Sequence, residues 1–177
     1  MNGQRARDKI LPLDELGSRL DGLRSRETVV LCHGVFDLLH IGHIRYLEQA
    51  KGFGGVLVVT ITEDQHVNKG PHRPAFTQEL RAEALAALDC VDFVAVNRWP
   101  TAVETIRLLR PHIYVKGAEY RNPSDDVTGM IAAEADAVRQ AGGEIRFTED
   151  ITFSSSNLIN RHFSPFPDEV RTFFNDF

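Results

Sequence analysis

Two histidines three residues apart, His40 and His43, stand in the run His33-Gly34-Val35-Phe36-Asp37-Leu38-Leu39-His40-Ile41-Gly42-His43. Ile44, Leu47 and Ala50 then continue the apolar side of a helix. At i, i+3 spacing the imidazoles share one face. Gly42 lets a ligand approach the backbone, and the free N–H groups of a helix N-terminus add positive potential. Residues of these types in this order make a site for phosphate.

Cations and hydroxyls follow along the chain. Lys69 and Arg73 lie in Asn68-Lys69-Gly70-Pro71-His72-Arg73-Pro74, a Gly/Pro loop suited to closing positive charge over a phosphate group. Thr62 and Asp64 are placed to contact a second substrate or to organise that loop. Lys116-Gly117-Ala118-Glu119 follows a later strand, in the crevice where a base or an acceptor lies in sheets of this kind. Ser154-Ser155-Ser156, just before Asn157-Leu158-Ile159, offers hydroxyls and N–H groups at a second helix N-terminus. If a phosphate oxygen is itself the nucleophile, no serine, cysteine or activating base is required. In-line positioning and charge compensation suffice.

The elements that must position these residues are legible as a pattern. Short β-rich runs at residues 28–32, 56–62, 91–96, 112–116 and 144–147 alternate with helical stretches at 41–50, 78–89, 102–110 and 127–141. Runs such as Val56-Leu57-Val58-Val59 are apolar on both faces, which predicts a parallel sheet covered on both sides. Thr101 and Glu104 have the spacing of a capping box, and Gly142-Gly143 ends the last long helix. The expectation is an α/β, Rossmann-like, doubly wound parallel sheet with helices on both faces. The first dozen residues read as a frayed lead-in within an N-terminal segment, residues 1–27, that also holds a helix.

Composition bounds the partners. The 177 residues carry 25 acidic and 20 basic side chains, a formal charge of −5, with 42% hydrophobic residues. That balance suits a packed core and argues against a general nucleic-acid binder, leaving room only for a focused phosphate pocket. Cys32 and Cys90 form no C-x-x-C or metal pair, and no apolar run approaches the roughly 20 residues that span a bilayer. The expectations are a cytoplasmic location, no membrane contact, no nucleic acid and no protein-held metal.

The segment from Gly34 to His43 resembles the G-x-F-D-x-x-H-x-G-H signature of the cytidylyltransferase-like nucleotidyltransferases. The likeness extends over roughly residues 28–161, with Arg73-Pro74, Arg81, Val91-Asp92, Val115-Lys116-Gly117 and Ser154-Ser155-Ser156-Asn157 in matching order. The resemblance implies transfer of AMP or CMP from ATP or CTP to a sugar phosphate or polyol phosphate, with pyrophosphate released and Mg2+ carried mainly on the triphosphate. It implies catalytic roles for His40, His43 and Lys69. Nucleotide contacts would come from Gly34, Val35, Phe36, Gly42, Arg73, Arg81, Lys116, Gly117 and Ser154 to Ser156. Acceptor contacts would come from Asp37, Thr62, Asp64 and Glu119.

Within the family, Val115-Lys116-Gly117 and Glu149-Asp150 look more like the heptose-phosphate adenylyltransferase branch than the glycerol-phosphate cytidylyltransferase branch, which places an arginine before its Ser/Thr motif. ATP is therefore expected slightly ahead of CTP. A class I aminoacyl-tRNA synthetase fragment also uses His-Ile-Gly-His, but this chain has no Lys-Met-Ser-Lys-Ser segment and no room for an anticodon-binding region. The other alternative is a non-catalytic nucleotide-binding regulatory module. Residues 162–177 hold Phe163, Phe166, Phe173, Phe174 and Phe177, an aromatic tail expected to form a homodimer contact or to lead to a further domain of a bifunctional protein.

Overall fold

A computed structural model describes residues 2–70, 72–121 and 129–149. The aromatic tail, the three serines and Asp150 lie outside these residues. Five strands form one parallel sheet in the order β3-β2-β1-β4-β5: β1 (Val29–Gly34), β2 (Val56–Thr62), β3 (Phe93–Asn97), β4 (Ile113–Lys116) and β5 (Glu144–Phe147). Six helices accompany them: α1 (Asn2–Arg7), α2 (Leu13–Leu23), α3 (Ile41–Lys51), α4 (Gln78–Ala86), α5 (Val103–Leu109) and α6 (Ile131–Gln140).

The two-residue period of the strands divides the core in two. Val30, Cys32, Leu57, Val59, Ile61 and Val115 face α3 and α4 through Leu47, Ala50, Ala82 and Leu85. Val29, Leu31, Val58, Ala95 and Tyr114 face α2, α5 and α6 through Leu16, Leu20, Ile106, Leu109 and Val138. Every β2 residue is buried, Thr60 and Thr62 included, as a strand covered on both sides requires. The doubly wound expectation holds. The order reverses between β1 and β4, so the switch point lies beyond the ends of those two strands, with Cys32 paired in register with Val115.

Several boundaries differ from the sequence reading: β3 begins at Phe93 and not at 91, α6 begins at Ile131, and three further differences have a visible cause. The lead-in is not frayed: Leu11 N–H donates to the Val94 carbonyl and Val94 N–H to that of Lys9, so the segment adds a one-bridge extension to the edge strand β3. Lys9 Nζ also reaches the Leu88 carbonyl at 3.0 Å. A free strand edge offers unpaired peptide groups, and an apolar segment next to it takes them. Helix α4 stops at Ala86, short of residue 89, because the Leu88 N–H turns back to the Leu85 carbonyl. The capping box at α5 is half formed. Thr101 Oγ1 accepts from Val103 N–H at 3.4 Å, while Glu104 pairs with Arg107 at 2.6 Å instead of reaching back.

Removing residues 1–11 takes away these three bonds, each worth about 1 kcal/mol. The expected fall in Tm is roughly 5–10 °C, read by circular dichroism melting beside the intact chain.

Candidate functional site

The site begins where β1 runs out. Gly34 sits close under its neighbour: a Cβ there would meet Phe36 Cε2 at 3.2 Å, a tight contact that would shift the ring. Phe36 holds a left-handed φ of 49°, uncommon for an aromatic residue, and it buries its ring edge-on against His43 at 5.3 Å between centroids. His40 is the N-cap of α3, and its Nδ1 accepts from Gly42 N–H at 3.1 Å. That bond assigns the proton of the neutral imidazole to Nε2, which becomes a donor. The rings of His40 and His43 stack at 4.0 Å.

Burial, then the charges of His40 and Lys69, push the His43 pKa down to about 4, with a Leu38 backbone contact opposing them. Burial also lowers His40. Both rings are neutral at pH 7. His40 Nε2 and His43 Nδ1 are buried without a hydrogen-bond partner.

The cationic loop is tied to this turn by Asp37. Its carboxylate accepts from Arg73 Nε, from Ala75 N–H at 2.6 Å and from Phe76 N–H at 3.3 Å. Asp37 was expected to meet the acceptor, but both its oxygens are engaged in anchoring the loop. Arg73 keeps one buried nitrogen, Nη2, without a partner. Lys69 stands at the exposed rim; loss of water around the ammonium and then the charge of Arg73 lower its pKa, with Asp37 opposing. Of the four buried side-chain polar atoms without a partner among the described residues, three thus belong to His40, His43 and Arg73. Such atoms are rare in folded proteins, and their concentration at one strand end marks a place built for a ligand rich in acceptor oxygens.

Arg81, expected among the phosphates, is turned inward and 2% exposed. It donates to the carbonyls of Val35 at 2.6 Å, Thr62 at 2.8 Å and Phe76 at 3.0 Å, and to Asp64 Oδ1 at 2.6 Å. Four of its five N–H donors are therefore spent on the protein, and its work is to hold the site. Asp64, also expected at the acceptor, accepts from Gln78 N–H at 3.1 Å through its other oxygen and so caps α4. The loop-organising alternative is the one the structure gives it. Thr62 lends its carbonyl to Arg81 and its hydroxyl, at 3.4 Å, to His33 Nε2.

Across the switch point, Lys116 ends β4 with its ammonium 2.8 Å from Glu134 Oε2. Tyr114 donates to the same carboxylate at 3.0 Å, and the Tyr120 ring lies 5.0 Å from the ammonium. Burial and then Glu134 drive the Tyr114 pKa well above its ordinary value, so the phenol stays protonated. Gly117 and Glu119 follow in and beside a short 3-10 turn, Ala118–Tyr120.

Sequence reasoning missed two residues here. Glu134 interrupts the apolar face of Ile131, Ala135 and Val138; a lone carboxylate at that helical spacing marks a buried charge, though not its partner. His33 lies between Thr60 and Thr62, with Nδ1 at 3.0 Å from Thr60 Oγ1; burial and then Lys116 push its pKa down to about 3. Burial raises the Cys32 thiol to about 12, which removes it as a nucleophile. Among the described residues no group of three or more His, Cys, Asp or Glu side chains is disposed to hold a metal ion.

Residues 31–161 match the family model described as cytidylyltransferase-like. The chain belongs to that family. Membership places it among the nucleotidyltransferase enzymes. It is 41% identical over 156 residues to the bifunctional protein HldE of Campylobacter fetus subsp. fetus, covering 86% of this chain and 31% of that protein. The HldE of Syntrophotalea carbinolica is 39% identical over 141 residues, 78% of this chain and 27% of its own length. This nucleotidyltransferase chain therefore spans about a third of the relatives it matches.

The fold recurs in the lipopolysaccharide core biosynthesis protein of Thermoplasma volcanium GSS1, with a TM-score of 0.58 and 23% identity over 72% of this chain and 99% of that one. It recurs in the pantoate-beta-alanine ligase of Francisella tularensis, with a TM-score of 0.61 and 15% identity over 84% and 72% of the two chains. No helix among the described residues is long and apolar enough to cross a membrane.

Arg81→Met strands three carbonyls and a carboxylate, and the expected loss of stability is about 3 kcal/mol or more, measured by urea denaturation. His33 and His43, held at about 3 and about 4 in the folded chain against 6.5 unfolded, bind more protons when the chain unfolds. Their contribution is fully present above pH 6.5 and is lost as pH falls from there, through about 4 for His43 and about 3 for His33. The urea midpoint should drop between pH 7 and pH 5, and His43→Asn should flatten that drop, since one of the titrating rings is gone.

Proposed function

We propose that this enzyme transfers AMP from ATP, with CTP as the second choice, to the phosphate of a sugar or polyol and releases pyrophosphate. The observation that carries the reading is the set of unpartnered buried nitrogens on His40, His43 and Arg73 at the N-terminus of α3. A bound triphosphate supplies the oxygens these nitrogens lack. A phosphate oxygen of the acceptor attacks the α-phosphorus; the new P–O bond forms as the bond to the β-phosphate oxygen breaks, and the electron pair leaves with pyrophosphate. No proton need be removed from the nucleophile, which is already an anion.

The neutral donors His40 Nε2–H and His43, with the cations of Arg73 and Lys69, compensate the charge that builds on the bridging and equatorial oxygens. Neutral imidazoles suit this task, because a desolvated donor gives its full strength only when an anion arrives, and arrival raises the imidazole pKa in turn. Asp37 and Asp64 are occupied by Arg73 and Arg81, so Mg2+ would enter on the triphosphate as part of the substrate.

Preference for ATP and for a heptose-like sugar phosphate is supported by Val115-Lys116-Gly117 and Glu149, and by the HldE relatives. Their length supports a partner: a further catalytic domain or protein that makes the acceptor phosphate, with a homodimer as the other arrangement. A cytoplasmic setting fits both free thiols, Cys32 and Cys90.

Pyrophosphate release is to be measured with ATP, CTP, GTP and UTP against sugar phosphates and polyol phosphates. His40→Ala and His43→Ala should each lower kcat on the order of 100-fold while the chain stays folded; each should also cost about 1 kcal/mol of stability, His40→Ala through its N-cap bond to Gly42 N–H and His43→Ala through its ring contact with Phe36. Wild-type turnover confined to GTP or UTP would overturn the nucleotide assignment. Near-normal kcat in both mutants would remove the histidines from the mechanism.

A further inference from the structure

The two walls of the switch-point crevice differ in kind. The β1 wall carries donors without partners, whereas the β4 wall carries a closed pair. Lys116 and Glu134 face each other at 2.8 Å, with side chains only 11% and 5% exposed, and Tyr114 completes the carboxylate's bonding. The charge of Lys116 contributes to holding His33 neutral, so the ammonium lies within electrostatic reach of the β1 end. Nothing in the transfer chemistry above uses Glu134.

Resting on the nucleotidyl-transfer reading, we propose that Glu134 determines acceptor specificity: by neutralising Lys116 it makes the β4 wall a subsite for the uncharged, hydroxyl-bearing part of the acceptor and excludes a second anionic group. An unpaired lysine at a strand end beside a phosphate site attracts phosphate. With a carboxylate held against it the pair has no net charge, and an arriving phosphate meets the repulsion of Glu134. Hydroxyls meet no such penalty. The ammonium retains N–H donors beyond the one given to Glu134, and the carboxylate retains lone pairs, so together they match groups that donate and accept at once. The phosphate that reacts is thereby directed to the β1 wall, where the unpartnered donors are.

The test uses Glu134→Gln, which keeps the shape and the acceptor oxygen for Tyr114 but removes the charge. Inorganic phosphate is titrated calorimetrically into wild type, into this variant and into the double variant with Lys116→Met. Glu134→Gln should gain phosphate affinity by about tenfold, and the double variant should lose that gain. In turnover, the ratio of kcat/KM for a sugar bisphosphate to that for the matching sugar monophosphate should rise by about tenfold in Glu134→Gln.

A folded Glu134→Gln with unchanged phosphate affinity and an unchanged ratio overturns the proposal. A gain in phosphate affinity without the change in ratio overturns the specificity role and leaves a plain charge pair. If Glu134→Gln does not fold, Glu134→Asp withdraws the carboxylate by one methylene; a smaller shift in the same direction supports the proposal, and none overturns it. Wild type that turns over no nucleotide and acceptor pair sinks the transfer reading and the acceptor role with it, while the phosphate titration still reads the charge pair separately.

Discussion

One buried guanidinium organises the site. Arg81 joins the end of β1 through Val35, the end of β2 through Thr62, the cationic loop through Phe76 and the start of α4 through Asp64. Carbonyls at the ends of parallel strands have no further strand to pair with, and a buried carbonyl left unpaired is costly. A planar group with five donors satisfies several of them at once, which an apolar side chain of the same size cannot do. Once Arg81 is seated, the loop that follows the 3-10 turn Asp64–His66 must return past Asp37, and Asp37 in turn fixes Arg73. The position of the free Arg73 nitrogen is thus set by a chain of bonds that begins in the core.

The arrangement spends charge unevenly. Asp37 and Asp64 lie close to the candidate site, yet each is already paired with an arginine, so neither presents a free carboxylate to a substrate. The groups left over are donors. A folded chain tolerates unpartnered buried donors only where the rest of its packing compensates, and here the compensation is visible in the unbroken apolar core of β1 and β2 on both faces of the sheet. Sites of this kind lose stability by being ready for a ligand: the unpartnered nitrogens of the histidines add nothing to the folded chain's own bonding and are left for what binds there.

The fold was largely legible. Strand runs such as Val56 to Ile61 are apolar on both faces, and helices such as α3 show a one-sided apolar stripe, so period and length alone separate them. The turn from Gly34 to His43 was legible too as a strand end leading into a helix start, because histidine, glycine and a helix start have local meanings. What sequence hid were roles decided by three-dimensional neighbours. Arg81 and Asp64 have the residue types of substrate ligands, and only the packing of α4 against the ends of β1 and β2 turns them into structural ties. The lead-in was misread because its partner, Val94, lies more than eighty residues away in the chain. Glu134 escaped because helix periodicity reports which face is buried and not what that face meets.

On the proposed reading, the contrast between the two walls of the crevice orients the acceptor. In-line displacement needs the attacking oxygen on the far side of the phosphorus from the leaving oxygen, so the reacting phosphate of the acceptor must reach the triphosphate while the rest of the acceptor is turned away from it. A crevice with cations on every wall would hold a charged acceptor in either orientation. Here the cations of Arg73 and Lys69 stand on one side with the α3 N-terminus, while Lys116 on the other is balanced by Glu134 and framed by Tyr114 and Tyr120. Phosphates gather where charge is unbalanced, and the balanced side is left for the part of the acceptor that carries none. Order in the ternary complex then follows from where the protein has already spent its counter-charges.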